Sequence, residues 1–149
     1  MTETNSVGMD EAERDEFLGI GGTGVISFPT PKSAAPHSLP VSYGYDAEKT
    51  NFYFRLAVDS DSDKRDITGR DVTVVVYGQH EDRWRSVIAK GGLEETTEES
   101  IGTASLEGLQ RVNIPLVDIF GRPTIDVPFE FYRLVPQEFT SRIESGTGL

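Results

Sequence analysis

An all-β barrel with short peripheral helices is the fold this chain predicts, and two observations carry the prediction. Six strand-like runs follow one another through short turns, and only brief stretches have helical character. The most regular run, residues 51–58, alternates strictly: Phe52, Phe54, Leu56 and Val58 make one apolar face, while Tyr53 and Arg55 share the other. A small sheet this apolar must close on itself or be covered, because an open apolar edge is a template for aggregation.

The elements follow in order. Asp10 caps a short helix ending at Leu18, with Met9, Phe17 and Leu18 as its apolar stripe. Gly19, Gly21, Gly22 and Gly24 end that helix as a turn, and residues 25–28 make a first strand stopped by Pro29 and Pro31. Residues 30–40 read as a loop. Strands at 41–45 and 52–58 are joined by a connection of hairpin length. A helical turn around Ile67 precedes a Val-rich strand at 71–77, and residues 78–82 turn into a strand at 84–90 that Gly91 and Gly92 close. Residues 96–109 suggest a modest helix with Ile101, Leu106 and Leu109 inward, and Pro115 leaves 112–120 ambiguous. The last strand, 127–135, carries Pro128 and is expected at an edge or with that proline at its start. One domain at 9–143, with flexible tails at 1–8 and 144–149, is the expected organisation.

Composition removes several chemistries. The chain of 149 residues has no cysteine, which excludes disulfides, thiolate metal centres and thiol nucleophiles. Two histidines, His37 and His80, are too few for most histidine-based metal centres, although carboxylates could still bind a hard cation; no metal is expected. With 25 acidic and 14 basic side chains the net charge is −11, which argues against a duplex nucleic acid partner. No apolar run approaches the roughly 20 residues of a membrane span, and the N-terminal segment has no leader character, so a cytoplasmic protein is expected. Ten arginines stand against four lysines. A carboxylate-rich, lysine-poor surface suits very high salt, where self-repulsion is screened, and points to a halophilic source.

Cations are scarce, so their placement is informative. Lys64 and Arg65 lie within the acidic run 59–66, directly after a strand, where a helix N-terminus and an ammonium together suit a phosphate. The alternative is a solvated acidic turn. A calcium loop fits poorly, because Lys64 holds the place that needs Gly and Arg70 the place that needs a bidentate Glu. The glycine cluster has the wrong helix-then-strand order for a dinucleotide loop and lacks the phosphate-loop lysine. Arg55, mid-strand beside Tyr53, suits either a carboxylate pair or a phosphate or carbonyl oxygen. Trp84 reads as a core or interface anchor or a ligand platform, and Ser86 points with it.

Residues 17–18, the glycine-terminated helix, residues 36–43, 53–55, Lys64, residues 84–91 and the closing run 131–136 together resemble the pyridoxamine 5'-phosphate oxidase-related, FMN-binding split-barrel family. That resemblance implies a mainly β, six-stranded split β-barrel forming a homodimer with FMN at the interface. It implies that Pro40, Val41, Ser42 and Tyr43 lie along the flavin ring largely through backbone groups, and that Tyr53 and Arg55 stand near phosphate or ring. By the same resemblance Lys64 binds the phosphate, while Ser86 beside Trp84 faces the flavin; Arg65 joins Lys64 by the residue reading of the pair as an anion site. The implied function is an FMN-dependent oxidoreductase of an unspecified small-molecule substrate or electron donor; a non-catalytic flavin or haem binding protein is the alternative, and a deazaflavin enzyme a third. The chain departs from the family in setting Asp63 before Lys64 and in lacking the closing Trp and Arg pattern of the true oxidases. Vitamin B6 synthesis is therefore not expected.

Overall fold

The computed structural model describes residues 6–30, 35–57, 70–96, 112, 114 and 129–144. Among them are one helix, α1 (Glu11–Leu18), and eight strands: β1 (Ser6–Gly8), β2 (Gly21–Phe28), β3 (His37–Asp46), β4 (Asn51–Ala57), β5 (Asp71–His80), β6 (Arg83–Glu95), β7 (Phe129–Leu134) and β8 (Glu138–Glu144). No helix among the described residues is long and apolar enough to cross a membrane.

Six strands close the barrel. The sheet runs β1-β8-β6-β5-β2-β3-β4-β7, and β7 pairs back onto β6, so β6, β5, β2, β3, β4 and β7 form a ring. The fold is the six-stranded split barrel that the sequence predicts. Strand β6 makes closure possible by its length of 13 residues. One of its edges lies on β5, while the other is divided: residues 85–90 pair with β8 and residues 93–95 with β7. At the changeover the amide of Gln137 donates to the carbonyl of Lys90 at 2.7 Å. A side chain at Gly91 would meet the Val135 carbonyl oxygen at 2.6 Å, so only glycine lets the chain cross there. Gly91 and Gly92 therefore lie inside β6 instead of ending it.

Other boundaries also shift. The glycines read as a turn continue as strand from Gly21, and only Gly19, at φ 62°, ends the helix. Strand β3 starts at His37, inside the expected loop, because residues 37–40 pair with residues 28–25 of β2. The β5–β6 turn narrows to Glu81 and Asp82, with φ of 53° and 64°, the geometry of a two-residue hairpin. Strand β8 was not foreseen, and Ser6–Gly8, expected in a tail, pairs with it. The helices expected near Ile67 and at 96–109 lie outside the described residues, apart from Thr96 in a turn.

The interior is aromatic. Phe52 stacks parallel to Phe54 at 6.2 Å and meets Tyr45 at 5.0 Å and Tyr43 at 5.7 Å. Helix α1 is held by a capping box between Asp10 and Glu13 and sends the buried Leu18 into this core. Tyr43 donates its hydroxyl to the Leu18 carbonyl at 2.9 Å, which occupies an acceptor left open at the helix end. Tyr45 donates to Asp15 at 2.7 Å, and the Arg14 guanidinium lies 4.3 Å above the Phe139 ring. Helix and barrel are thereby fixed to each other.

Candidate functional site

Strand periodicity sorts the predicted site residues into two groups. Val41 and Tyr43 turn inward and are buried, so only their backbone groups are available to a ligand. Burial pushes the Tyr43 phenol up to about 12, and its hydroxyl is committed to Leu18. Pro40 and Ser42 alternate with them and face outward. On β6 the buried Val87 and Ala89 likewise leave Trp84, Ser86 and Ile88 outside.

Register then assembles the outward side chains into rows. Pro40 pairs with Val25, Val25 with Val75, Val75 with Ile88, and Ile88 with Thr140. From Pro40 to Ile88 this apolar stripe crosses three interstrand spacings of about 4.8 Å, roughly 14 Å in all. Beside it runs a hydroxyl row, in which Ser42 pairs with Thr23 and Ser86 with Tyr77 and Arg142. One row nearer the hairpin tip, Trp84 is 50% exposed and stacks on Tyr77 with ring centroids 6.4 Å apart. Trp84 is thus a surface aromatic and not part of the core.

Among the described residues, the barrel wall is open next to this surface. Strand β4 pairs with β3 only from Tyr43↔Phe54 to Asp46↔Asn51, and beyond Phe54 it is engaged by β7 on its far side. Among the described residues no strand covers the β4-facing edge of β3 over residues 37–42, so backbone amides and carbonyls are presented there. Arg55 lies one residue past Phe54, beyond the end of the β3 pairing, and is opposite Phe131 of β7. It is partly buried, and desolvation pulls its pKa down. Tyr53 shares the outer face of β4 but is fully buried, and its hydroxyl has no hydrogen-bond partner among the described residues. Its neighbour Gly44 lies beneath Val112 and Ile114, where a Cβ would come within 2.6 Å of Val112. Lys64 and Arg65 lie outside the described residues.

Beyond the Pro40 row, a groove of about 350 Å³ is lined by Ser27, Phe28, Asp71, Thr73, Lys90 and Glu138. Lys90 and Glu138 are 3.7 Å apart at its rim. Thr23, Val25, Val75, Tyr77 and Ile88 escaped the sequence reading. For Thr23 and Val25 the signal was the alternation of Thr23, Val25 and Ser27 against Gly24, Ile26 and Phe28, which the glycines disguised as a turn.

An apolar stripe bordered by hydroxyls and by a strand edge that no described strand covers is a donor set that fits a planar, carbonyl-bearing heterocycle. The molecule is in this respect a split barrel with a ring-sized outer surface. The model of the pyridoxamine 5'-phosphate oxidase family matches residues 10–143, and the chain belongs to that FMN-binding split-barrel family. Solved structures share the fold. A candidate pyridoxamine 5'-phosphate oxidase from Corynebacterium glutamicum is 18% identical, with 95% of each chain covered and a TM-score of 0.68. An FAD binding protein from Mycobacterium smegmatis is 15% identical over 93% of this chain and 98% of its own, with a TM-score of 0.66. An FAD-binding protein from Mesorhizobium loti is 20% identical over 94% and 99%, with a TM-score of 0.59. None of the curated proteins matches the chain.

Proposed function

We propose that the chain is an FMN-dependent oxidoreductase acting on a small substrate or electron donor, with residues 9–143 as the cofactor-binding unit. The observation that carries this reading is the edge of β3 at residues 37–42, which no described strand covers, beside the stripe of Pro40, Val25, Val75 and Ile88. Backbone groups of Pro40, Val41, Ser42 and Tyr43 would hydrogen-bond the polar edge of the ring while the stripe carries its apolar face. Ser42 and Ser86 donate or accept through hydroxyls that rotate to suit, and Arg55 donates from its fixed fork. Tyr53 borders the Arg55 end of this surface, and Trp84 its hairpin end. Lys64 and Arg65, in the segment that leaves the end of β4, supply charge for the phosphate. A bound flavin supplies hydride acceptance and re-oxidation, which no side chain here performs.

The exposed Tyr77 and Trp84 on the same face support a homodimer that encloses the ring, since large exposed aromatics mark interfaces. Absence of a cationic surplus supports a protein without a nucleic acid partner, and the acidic, lysine-poor surface supports a salt-adapted cytoplasm. The second reading, a flavin or haem carrier without turnover, is favoured by one feature: the stripe and hydroxyl rows hold no His or carboxylate among the described residues to move a proton. A relative of this fold from Mycobacterium smegmatis is described as binding FAD and haem.

Titration of the full chain with FMN, FAD and haem in about 2 M KCl, where surface repulsion is screened, tests the site. FMN fluorescence should be quenched at one equivalent per chain, and sedimentation should give a dimer. A protein that leaves every flavin free in solution would refute the proposal. NAD(P)H oxidation by the loaded protein separates enzyme from carrier.

A further inference from the structure

The end of α1 and the tip of the β5–β6 hairpin, away from the stripe, bring together three ligand-bearing side chains. Glu16 lies exposed on α1, His80 ends β5, and Glu81 opens the turn. One nitrogen or oxygen from each falls within 4.8 Å of the other two. His80 Nε2 is 3.7 Å from Glu16 Oε1 and 3.5 Å from Glu81 Oε1. Both separations exceed an N–H···O hydrogen bond of about 2.7–3.2 Å. They lie close to the edge of a tetrahedron built on metal–ligand bonds of about 2.0–2.1 Å, which is about 3.3–3.4 Å.

Two further features favour a cation over a plain ion pair. Nε2 is shut off from solvent and has no hydrogen-bond partner among the described residues, a condition that calls for a partner such as an ion or water. The surrounding groups also fix the ligands. Phe17 packs edge-on against the imidazole at 6.4 Å, and Arg85 donates from Nε to the His80 carbonyl at 3.2 Å. Arg85 also faces Glu81 Oε2 at 3.8 Å, which leaves Oε1 turned to the histidine. Such supporting contacts orient ligands in metal sites.

We propose that Glu16, His80 and Glu81 bind one divalent transition-metal ion, of the zinc class. An imidazole with two carboxylates suits zinc or manganese better than calcium, which prefers six to eight oxygens. The ion ties α1 to the hairpin that carries Tyr77 and Trp84. This site is independent of flavin.

Chelator-treated full-length protein titrated with zinc chloride, followed by calorimetry and thermal unfolding, tests the assignment. One equivalent per chain should bind, and the melting temperature should rise by about 5–10 °C when free zinc stands 100-fold above its Kd. His80→Asn should weaken binding at least about tenfold, whereas His37→Asn, which alters the other histidine, should leave it unchanged. Glu16→Gln, on an exposed helix face where folding is not at stake, should also weaken zinc about tenfold. Zinc affinity equal in His80→Asn, Glu16→Gln and the parent, or a melting temperature indifferent to zinc, would overturn the proposal and leave only an ion pair.

Discussion

Replacing Gly24 with alanine tests whether β2 runs as a strand straight through its glycines. A Cβ at Gly24 would lie 2.6 Å from the Val75 carbonyl oxygen and 3.1 Å from Val76 Cγ2. Real Cβ contacts begin near 3.0 Å, so something must retreat by at least about 0.4 Å (3.0 − 2.6). The nearest atom belongs to the β5 backbone and cannot rotate aside. Only three register pairs, Val25↔Val75, Ile26↔Val74 and Ser27↔Thr73, hold β2 to β5, so the retreat falls on a short seam. Overpacking costs about 1–3 kcal/mol, and a stretched ladder hydrogen bond adds about 1 kcal/mol. The sum, about 2–4 kcal/mol, lowers the melting temperature by about 5–15 °C for a chain of this length. Thermal unfolding followed by circular dichroism in molar KCl measures it. Gly78→Ala is the control: nothing lies within 4 Å of its added Cβ, and the change should be neutral or stabilising. Equal melting temperatures for the two variants would refute the close β2–β5 approach and the strand assignment with it.

Burial and charge carry the remaining expectations. Burial keeps the Tyr43 phenol protonated up to about 12, against an ordinary value of 10.0, and burial with Asp15 raises Tyr45 as well. The folded chain then holds protons that the unfolded chain releases, so stability is intact below pH 10 and falls as pH rises from 10 towards 12. Tyr43→Phe should flatten that fall while costing about 1 kcal/mol at neutral pH through the orphaned Leu18 carbonyl; an unchanged alkaline slope would count against it. Raising KCl from about 0.1 M to 2 M should raise the melting midpoint by screening the charge excess, and a flat response would argue against salt adaptation. Lys64→Ala should weaken FMN binding about thirtyfold, roughly 2 kcal/mol, if its ammonium meets the phosphate. Unchanged affinity, read by fluorescence titration, would move the phosphate elsewhere.

Much of the barrel was legible because period-two alternation survives in single strands. Residues 52–56 announced both faces of β4, and Val72, Val74 and Val76 announced the inner face of β5. Strand β8 was harder to see: in Phe139, Ser141 and Ile143 one inward position of three is polar, and Ser141 Oγ instead donates to the Met9 carbonyl at 3.2 Å. Glycine misled twice, at 21–24 and at 91–92. In both places it is chosen for close backbone approach across strands, a contact between residues far apart in the chain.

Charge, the lack of thiols, the helix cap at Asp10 and the inward or outward facing of most strand residues depend on composition and neighbours a few positions away, and the amino-acid order alone determined them. Which outward residues share a row did not. Ser42 and Ser86 are brought into one hydroxyl row, and Pro40 and Ile88 into one stripe, by the register of four strands, which depends on pairings between distant segments. The parting of β4 from β3 beyond Phe54, and the division of the β6 edge between β8 and β7, likewise depend on long-range pairing. No local pattern encodes that division, because it arises where the ring of strands must close.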